Sequence, residues 1–174
     1  MPYGYERMGK QVYLDILNTA QRYVHIMTPY LILDHEMIMT LTYAAKTRCG
    51  GSALSCPIFL IKKTAFALAK TYYNELLEAG VEIYEYTPGF VHAKVFTSDD
   101  EKAVVGTVNM DYRSFYHHFE DGVLFYRNSQ IPYVERDFQY TKNKCVKISV
   151  ADYKCLGIFT RIMGKVLRIF APLM

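Results

Sequence analysis

VHAKVFTSDDEKAVVGTVNMDYRSFYHHFEDGV, residues 91–123, is the stretch on which the fold turns. Val91 to Thr97 and Ala103 to Val108 are two apolar, β-rich runs. Between them lie Ser98, Asp99, Asp100 and Glu101, residues that favour a turn, so the segment is predicted to form a buried hairpin. A short helix from Asp111 and a strand from Gly122 to Tyr126 follow it.

Working outward, Met8, Val12, Ile16, Leu17 and Ala20 recur at helical spacing, and Tyr23 to Thr28 is a short strand ending at Pro29. Asp34 is placed to cap a second helix through Ala45. A third helix spans Thr64 to Ala79 and closes at Gly80, after which Val81 to Tyr86 resumes as a strand. A helix around Tyr133 to Tyr140 completes the domain, which is predicted to be α/β: a mixed β-sheet flanked by helices on both faces. The sixteen tyrosines are assigned to core and interface.

A chain of 174 residues, half of them hydrophobic, suffices for one core. A net charge of +3 is too small to point to nucleic acid or anionic lipid by itself, and no nucleic-acid partner is expected. Cys49, Cys56, Cys145 and Cys155 form neither zinc-site pairs nor a dense disulfide framework, which favours a reducing environment. No apolar run reaches membrane-spanning length and Met1 to Lys10 has no signal-peptide layout, so membrane contact is expected to be peripheral. In the tail from Leu156 to Phe170, Arg161, Lys165 and Arg168 share one helical face, giving a C-terminal amphipathic helix that either docks on the core or lies on a membrane.

The candidate chemistry sits in the hairpin. His92, Lys94, Asp99, Gly106, Thr107 and Asn109 follow the spacing H-x-K-x(4)-D-x(6)-G-[S/T]-x-N. Residues two apart on a strand face the same side, so His92 and Lys94 are expected to project together into one cavity. Gly106 permits close approach of backbone to ligand, and Thr107 and Asn109 offer donors to phosphate oxygens. A neutral imidazole can attack phosphorus, splitting one displacement into two, and needs neither metal nor cofactor. Asp99 is expected at the turn, holding Lys94 or local backbone groups. His25, His35, His117 and His118 are assigned no chemistry.

This pattern resembles the HKD motif of the phospholipase D superfamily. The segments YVHIMTPYLI, YYNELLEAGVEIYEYTPGFVHAK, VVGTVNMDYRSFYHHFEDGV and RIFAPLM further resemble the C-terminal catalytic half of bacterial cardiolipin synthases. The resemblance implies a phospholipase D-like half-domain over residues 1–150 with a basic tail over 151–174. The implied reaction transfers a phosphatidyl group between two phosphatidylglycerol molecules through a phosphohistidine, releasing glycerol. His92 is then the nucleophile or the general acid-base partner, Glu120 the carboxylate on its other ring nitrogen, and Lys94, Gly106, Thr107 and Asn109 the phosphate cradle. One motif supplies one histidine, and the reaction uses two. The implied partners are therefore a complementary motif-bearing half or a second copy of the chain, at the anionic cytoplasmic face of a bacterial membrane. The alternatives are a homodimeric single-motif phosphodiesterase and a non-catalytic membrane-surface remnant. Residues 47–61, TRCGGSALSCPIFLI, depart from the family's strand and loop and make a poor central strand, a departure that a local frameshift would explain.

Overall fold

The computed structural model describes residues 7–47, 56–57, 63–154 and 166–171. In chain order the elements are α1 (Met8–Thr19), β1 (Val24–Met27), α2 (His35–Thr47), β2 (Cys56–Pro57), α3 (Lys63–Glu78), β3 (Ile83–Tyr86), β4 (Val95–Ser98), β5 (Lys102–Gly106), α4 (Tyr112–Tyr116), β6 (Gly122–Tyr126), α5 (Ile131–Lys142), β7 (Cys145–Ile148) and α6 (Val150–Lys154). The expected α/β architecture is present, with its β-structure in two hydrogen-bonded ladders. One is antiparallel, in the order β1-β4-β5-β6; the other, β2-β3-β7, joins a parallel pair to an antiparallel one. The strand β7 and the helix α6 lie between the Tyr133–Tyr140 helix and the tail, where the sequence reading places no element.

Alternation along the strands divides the interior. Val24 and Ile26 of β1, Phe96 of β4 and Val104 of β5 join the main core with Tyr13, Ile16 and Leu17 of α1, Met37 and Leu41 of α2, Leu68, Tyr72 and Tyr73 of α3, and Phe115 of α4. Met27 and Val95 belong to the other face, where they meet Phe138 of α5. His25 lies on that same face, stacked on Phe138 at 4.4 Å and hydrogen-bonded to Glu135 at 2.7 Å. Tyr13 locks the first layer to the hairpin: its ring stacks on Phe96 at 3.8 Å and its hydroxyl donates to the Val108 carbonyl at 2.8 Å.

Helix α2 begins where the sequence places its cap, with Asp34 Oδ1 accepting from the Met37 amide at 2.8 Å. The other Asp34 oxygen pairs with buried Lys10 at 2.6 Å and accepts from Tyr116. Burial alone would raise the Asp34 carboxyl; hydrogen bonds from Lys10, Tyr116 and the Met37 amide instead hold it below the ordinary carboxylate value. Gly80 follows α3 at φ 94°, a left-handed position that a Cβ disfavours.

In the tail, Leu167 packs against the core and Ala171 is buried. Arg168 reaches Glu75 at 3.5 Å and lies 4.5 Å from the Tyr72 ring, so this part of the tail contacts α3. Arg161 and Lys165, the other two basic positions of the expected helical face, lie outside the described residues. So does the 47–61 segment, apart from Thr47 at the end of α2 and Cys56–Pro57, which pair in parallel with Ile83 and Tyr84. Among the described residues no helix is long and apolar enough to cross a membrane.

The hairpin turn carries the first departure from expectation. Asp99 and Asp100 both take positive φ, 57° and 60°, in a turn closed by the Glu101 amide on the Ser98 carbonyl at 2.9 Å. The Asp99 carboxylate binds neither Lys94 nor the hairpin's own backbone. It accepts from the amides of Gln21, Arg22 and Tyr23 at 2.7, 2.8 and 2.9 Å, tying the α1–β1 turn to the tip of the hairpin. Replacing Asp99 with Ala is expected to lower unfolding free energy by roughly 1–3 kcal/mol in urea titrations, the scale of hydrogen bonds to a charged group. The His92 environment, read by its ring NMR shifts, should stay the same.

Candidate active site

The ladder of β4 begins at Val95, later than the sequence suggests, so His92 and Lys94 lie in the segment just before it. One backbone bond secures that segment: the Gly106 amide donates to the Lys94 carbonyl at 3.2 Å. Gly106 is needed there for want of space, because a Cβ would stand 2.4 Å from the Asp121 carbonyl oxygen and 2.7 Å from the Gly122 Cα. The close approach lets Thr107 pair with Asp121, its amide donating to the Asp121 carbonyl at 2.8 Å while its hydroxyl accepts from the Asp121 amide at 2.9 Å.

His92 and Lys94 are brought together although no ladder holds them. Lys94 Nζ stands 2.8 Å from His92 Nδ1 and 3.0 Å from Nε2, and donates to the His92 carbonyl at 2.7 Å. Nearly equal distances put the ammonium over the face of the ring, since a donor in line with one nitrogen stands well away from the other. His92 is exposed, with Phe90 beside its ring at 5.4 Å, whereas Lys94 is buried. Partial desolvation of the otherwise exposed ring, reinforced by the Lys94 charge, holds the imidazole below its ordinary pKa of 6.5 and so favours the neutral ring. Burial also lowers Lys94, against the opposing charges of Glu120 and Asp111.

The remaining sequence-predicted residues are placed as follows. Glu120 accepts from the Thr107 hydroxyl and lies 3.9 Å from His118, and among the described residues no hydrogen bond joins it to His92. The Thr107 hydroxyl is thus engaged by a carboxylate rather than free to donate outward. Asn109 Nδ2 donates to Ser114 Oγ at 3.2 Å, and among the described residues its buried Oδ1 has no partner. Asp99 stands apart from this group, at the far end of β4.

Sequence reasoning passed over Asp111, whose charge acts on Lys94. It caps α4, accepting from the Ser114 amide at 2.7 Å, and burial holds its carboxyl above the ordinary value. The signal was present as an aspartate at a helix start with a serine three residues on. Among the described residues no group of His, Cys, Asp and Glu is arranged to hold a metal ion.

The segment before β4 and the chain after β5 thus bring together an imidazole that disfavours protonation and a buried ammonium, with the charges of Glu120 and Asp111 acting on the latter. A model of the family described as cardiolipin synthase, PLD-like domain, matches residues 13–142. The chain belongs to this family. Among its cardiolipin synthase relatives, that of Geobacillus kaustophilus is 35% identical over 95% of the chain and 33% of its own length. That of Clostridium perfringens is 34% identical over 97% of the chain and 35% of its length. An uncharacterized protein of Streptococcus mutans is 48% identical over 99% of the chain and 37% of its length. The chain thus spans about a third of the length of the curated relatives it matches. In fold the chain is similar to Nuc of Salmonella typhimurium, a phospholipase D family member, with TM-score 0.66 at 16% identity over 80% of this chain and 90% of that one. It is also similar to the phosphatidylserine synthase of Haemophilus influenzae, with TM-score 0.66 at 18% identity over 94% of this chain and 42% of that one.

Two outcomes test the site's geometry. In an NMR titration the His92 ring should titrate below 6.5, and Lys94→Met should move the midpoint upward by removing the neighbouring positive charge. A downward or absent movement contradicts the arrangement. Gly106→Ala should cost about 2–3 kcal/mol in urea unfolding, because backbone rather than a flexible side chain meets the new methyl group.

Proposed function

We propose that this chain is one phosphatidyl-transferring half-site of a cardiolipin synthase. Residues 1–150 form the catalytic half-domain and residues 151–174 a basic tail, whose Leu167 and Arg168 meet the core and α3. The observation that carries the reading is the pairing of a neutral-favouring His92 with buried Lys94. The imidazole is the nucleophile or acid-base group, and the ammonium is the fixed charge that meets non-bridging phosphate oxygens.

As nucleophile, neutral His92 attacks the phosphorus of one phosphatidylglycerol. The bond from phosphorus to the glycerol oxygen breaks, and glycerol leaves with a proton from a second histidine on the opposite side. The hydroxyl of a second phosphatidylglycerol then attacks the phosphohistidine, gives its proton to that second histidine, and leaves as cardiolipin while His92 is regenerated. With the roles exchanged, His92 performs the proton transfers. The second histidine comes from a complementary half such as the remaining length of the relatives would provide, or from a second copy of this chain. The substrate implies a peripheral seat on the cytoplasmic face of an anionic bacterial membrane.

The test mixes the chain with phosphatidylglycerol vesicles, with and without a separately produced complementary half, and measures cardiolipin and glycerol. His92→Ala is expected to reduce product by about 10³-fold or more and Lys94→Met by about 10²–10³-fold, with both variants still folded. Product from the chain alone, scaling with dimer concentration, assigns the second histidine to a second copy. Absence of His92-dependent product in every arm overturns the reading in favour of a non-catalytic membrane-surface module.

A further inference from the structure

Helix α5 is gripped on one side and bare on the other. Its inner face carries Val134 and Phe138, which pack with Met27 and Val95 and with Val91 and Ala93, the two residues that flank His92. Glu135 is also spent inward, on His25, Thr97 and Gln139. On the opposite side Tyr133, Arg136 and Tyr140 follow one another at helical spacing, the two rings 56% and 63% exposed. The cations of this surface are partnered differently from those elsewhere. Arg22, Arg127, Lys147 and Arg168 each pair with a carboxylate. Arg136 instead stands 5.0 Å from the centre of the Tyr133 ring, Lys144 3.8 Å from that of Tyr140, and Lys142 4.8 Å from that of Tyr84. Among the described residues none of these three cations makes an ion pair. Glu82, on which the Lys142 charge acts, is already held by Lys147 and Tyr84, and Asp137 is the one exposed carboxylate of the helix.

We infer that the outer face of α5, continued by Lys142, Lys144 and Tyr84, is the surface by which this chain seats on an anionic phospholipid bilayer. A tyrosine has an apolar body and a polar tip, which suits it to the depth of lipid headgroups. A cation held beside such a ring and unclaimed by a carboxylate meets the lipid phosphate, and here three cations stand against the single exposed Asp137. The tail is the weaker candidate for this contact, because its Arg168 is turned to Glu75 and Tyr72. Single-stranded nucleic acid also uses aromatic residues, but it stacks bases on open ring faces, and one face of each of these rings is taken by a cation. Since Val91 and Ala93 rest on the inner side of the same helix, the seat lies about one helix diameter, roughly 10 Å, from the segment that carries His92. The choice of phospholipid as occupant rests on the proposed function.

The test sediments the full chain with vesicles of phosphatidylglycerol and phosphatidylcholine in equal parts, and with phosphatidylcholine alone, at low and high salt. Arg136→Gln combined with Lys142→Gln and Lys144→Gln should weaken binding to the anionic vesicles by roughly 10²-fold at low salt, about fivefold for each cation, and by less at high salt. Tyr133→Ser combined with Tyr140→Ser should weaken it at both salt concentrations, because the apolar part of the contact is not screened. Unchanged His92 ring NMR shifts in both variants show that the fold is kept. Arg161→Gln with Lys165→Gln is the comparison: loss of vesicle binding there, with the α5 variants unaffected, assigns the contact to the tail and overturns the inference. It is equally overturned if the wild type ignores anionic vesicles, or if the α5 cations govern binding of a single-stranded oligonucleotide and not of vesicles. His92→Ala should bind vesicles as the wild type does. Sedimentation that needs the α5 cations, without His92-dependent cardiolipin in any arm, contradicts the proposed function and leaves the surface standing. His92-dependent product with vesicle binding unaltered in the α5 variants does the reverse.

Discussion

An ammonium group taken out of water has to be met by opposite charge or by dipoles, and much of the architecture around Lys94 answers that requirement. Its side chain reaches back over the His92 ring to the His92 carbonyl, while the charges of Glu120 and Asp111 act on it from the segments that follow β5. The Lys94 carbonyl is held by Gly106, where only a hydrogen fits against Asp121 and Gly122. The same region bears on His92, whose partial desolvation, with the Lys94 charge beside it, disfavours protonation of the ring.

The scaffold separates the demands of stability from those of the site. Strand alternation sends Phe96 and Val104 into the main core and Val95 toward α5, so the hairpin is gripped from both faces. Asp99 fastens its tip to the α1–β1 turn, and Tyr13 fastens its base through Val108. The segment carrying His92 then emerges from the clamped end of β4 without a ladder of its own. Position there comes from the neighbouring Gly106 contact and from Lys94 itself.

Much of this was legible in the sequence because it depends on local signals. The cap at Asp34, the left-handed Gly80, the turn acids and the alternation of β4 and β5 each act within a few residues. The juxtaposition of His92 and Lys94 was also legible, since extended chain aims residues two apart to one side even outside a ladder. What the sequence could not convey was competition for partners. Asp99 found three backbone amides in the α1–β1 turn, Glu120 found the Thr107 hydroxyl, and Asn109 found Ser114, because each outcome depends on which segments fold against one another. The buried Lys10, Asp34 and Tyr116 group joins three elements far apart in the chain and has no spacing to betray it. The division of the β-structure into two ladders and the addition of β7 likewise follow from tertiary pairing.

On the proposed reading one motif gives one side of an in-line displacement, so its test is whether His92, Lys94 and Asn109 accept a tetrahedral oxyanion. The most direct measurement is a crystal of the chain soaked in tungstate, with the heavy atom located by its anomalous signal. The account expects tungstate with oxygens within about 3 Å of Lys94 Nζ and of a ring nitrogen of His92. Tungstate held elsewhere on the surface, with His92 and Lys94 turned from each other, would contradict it.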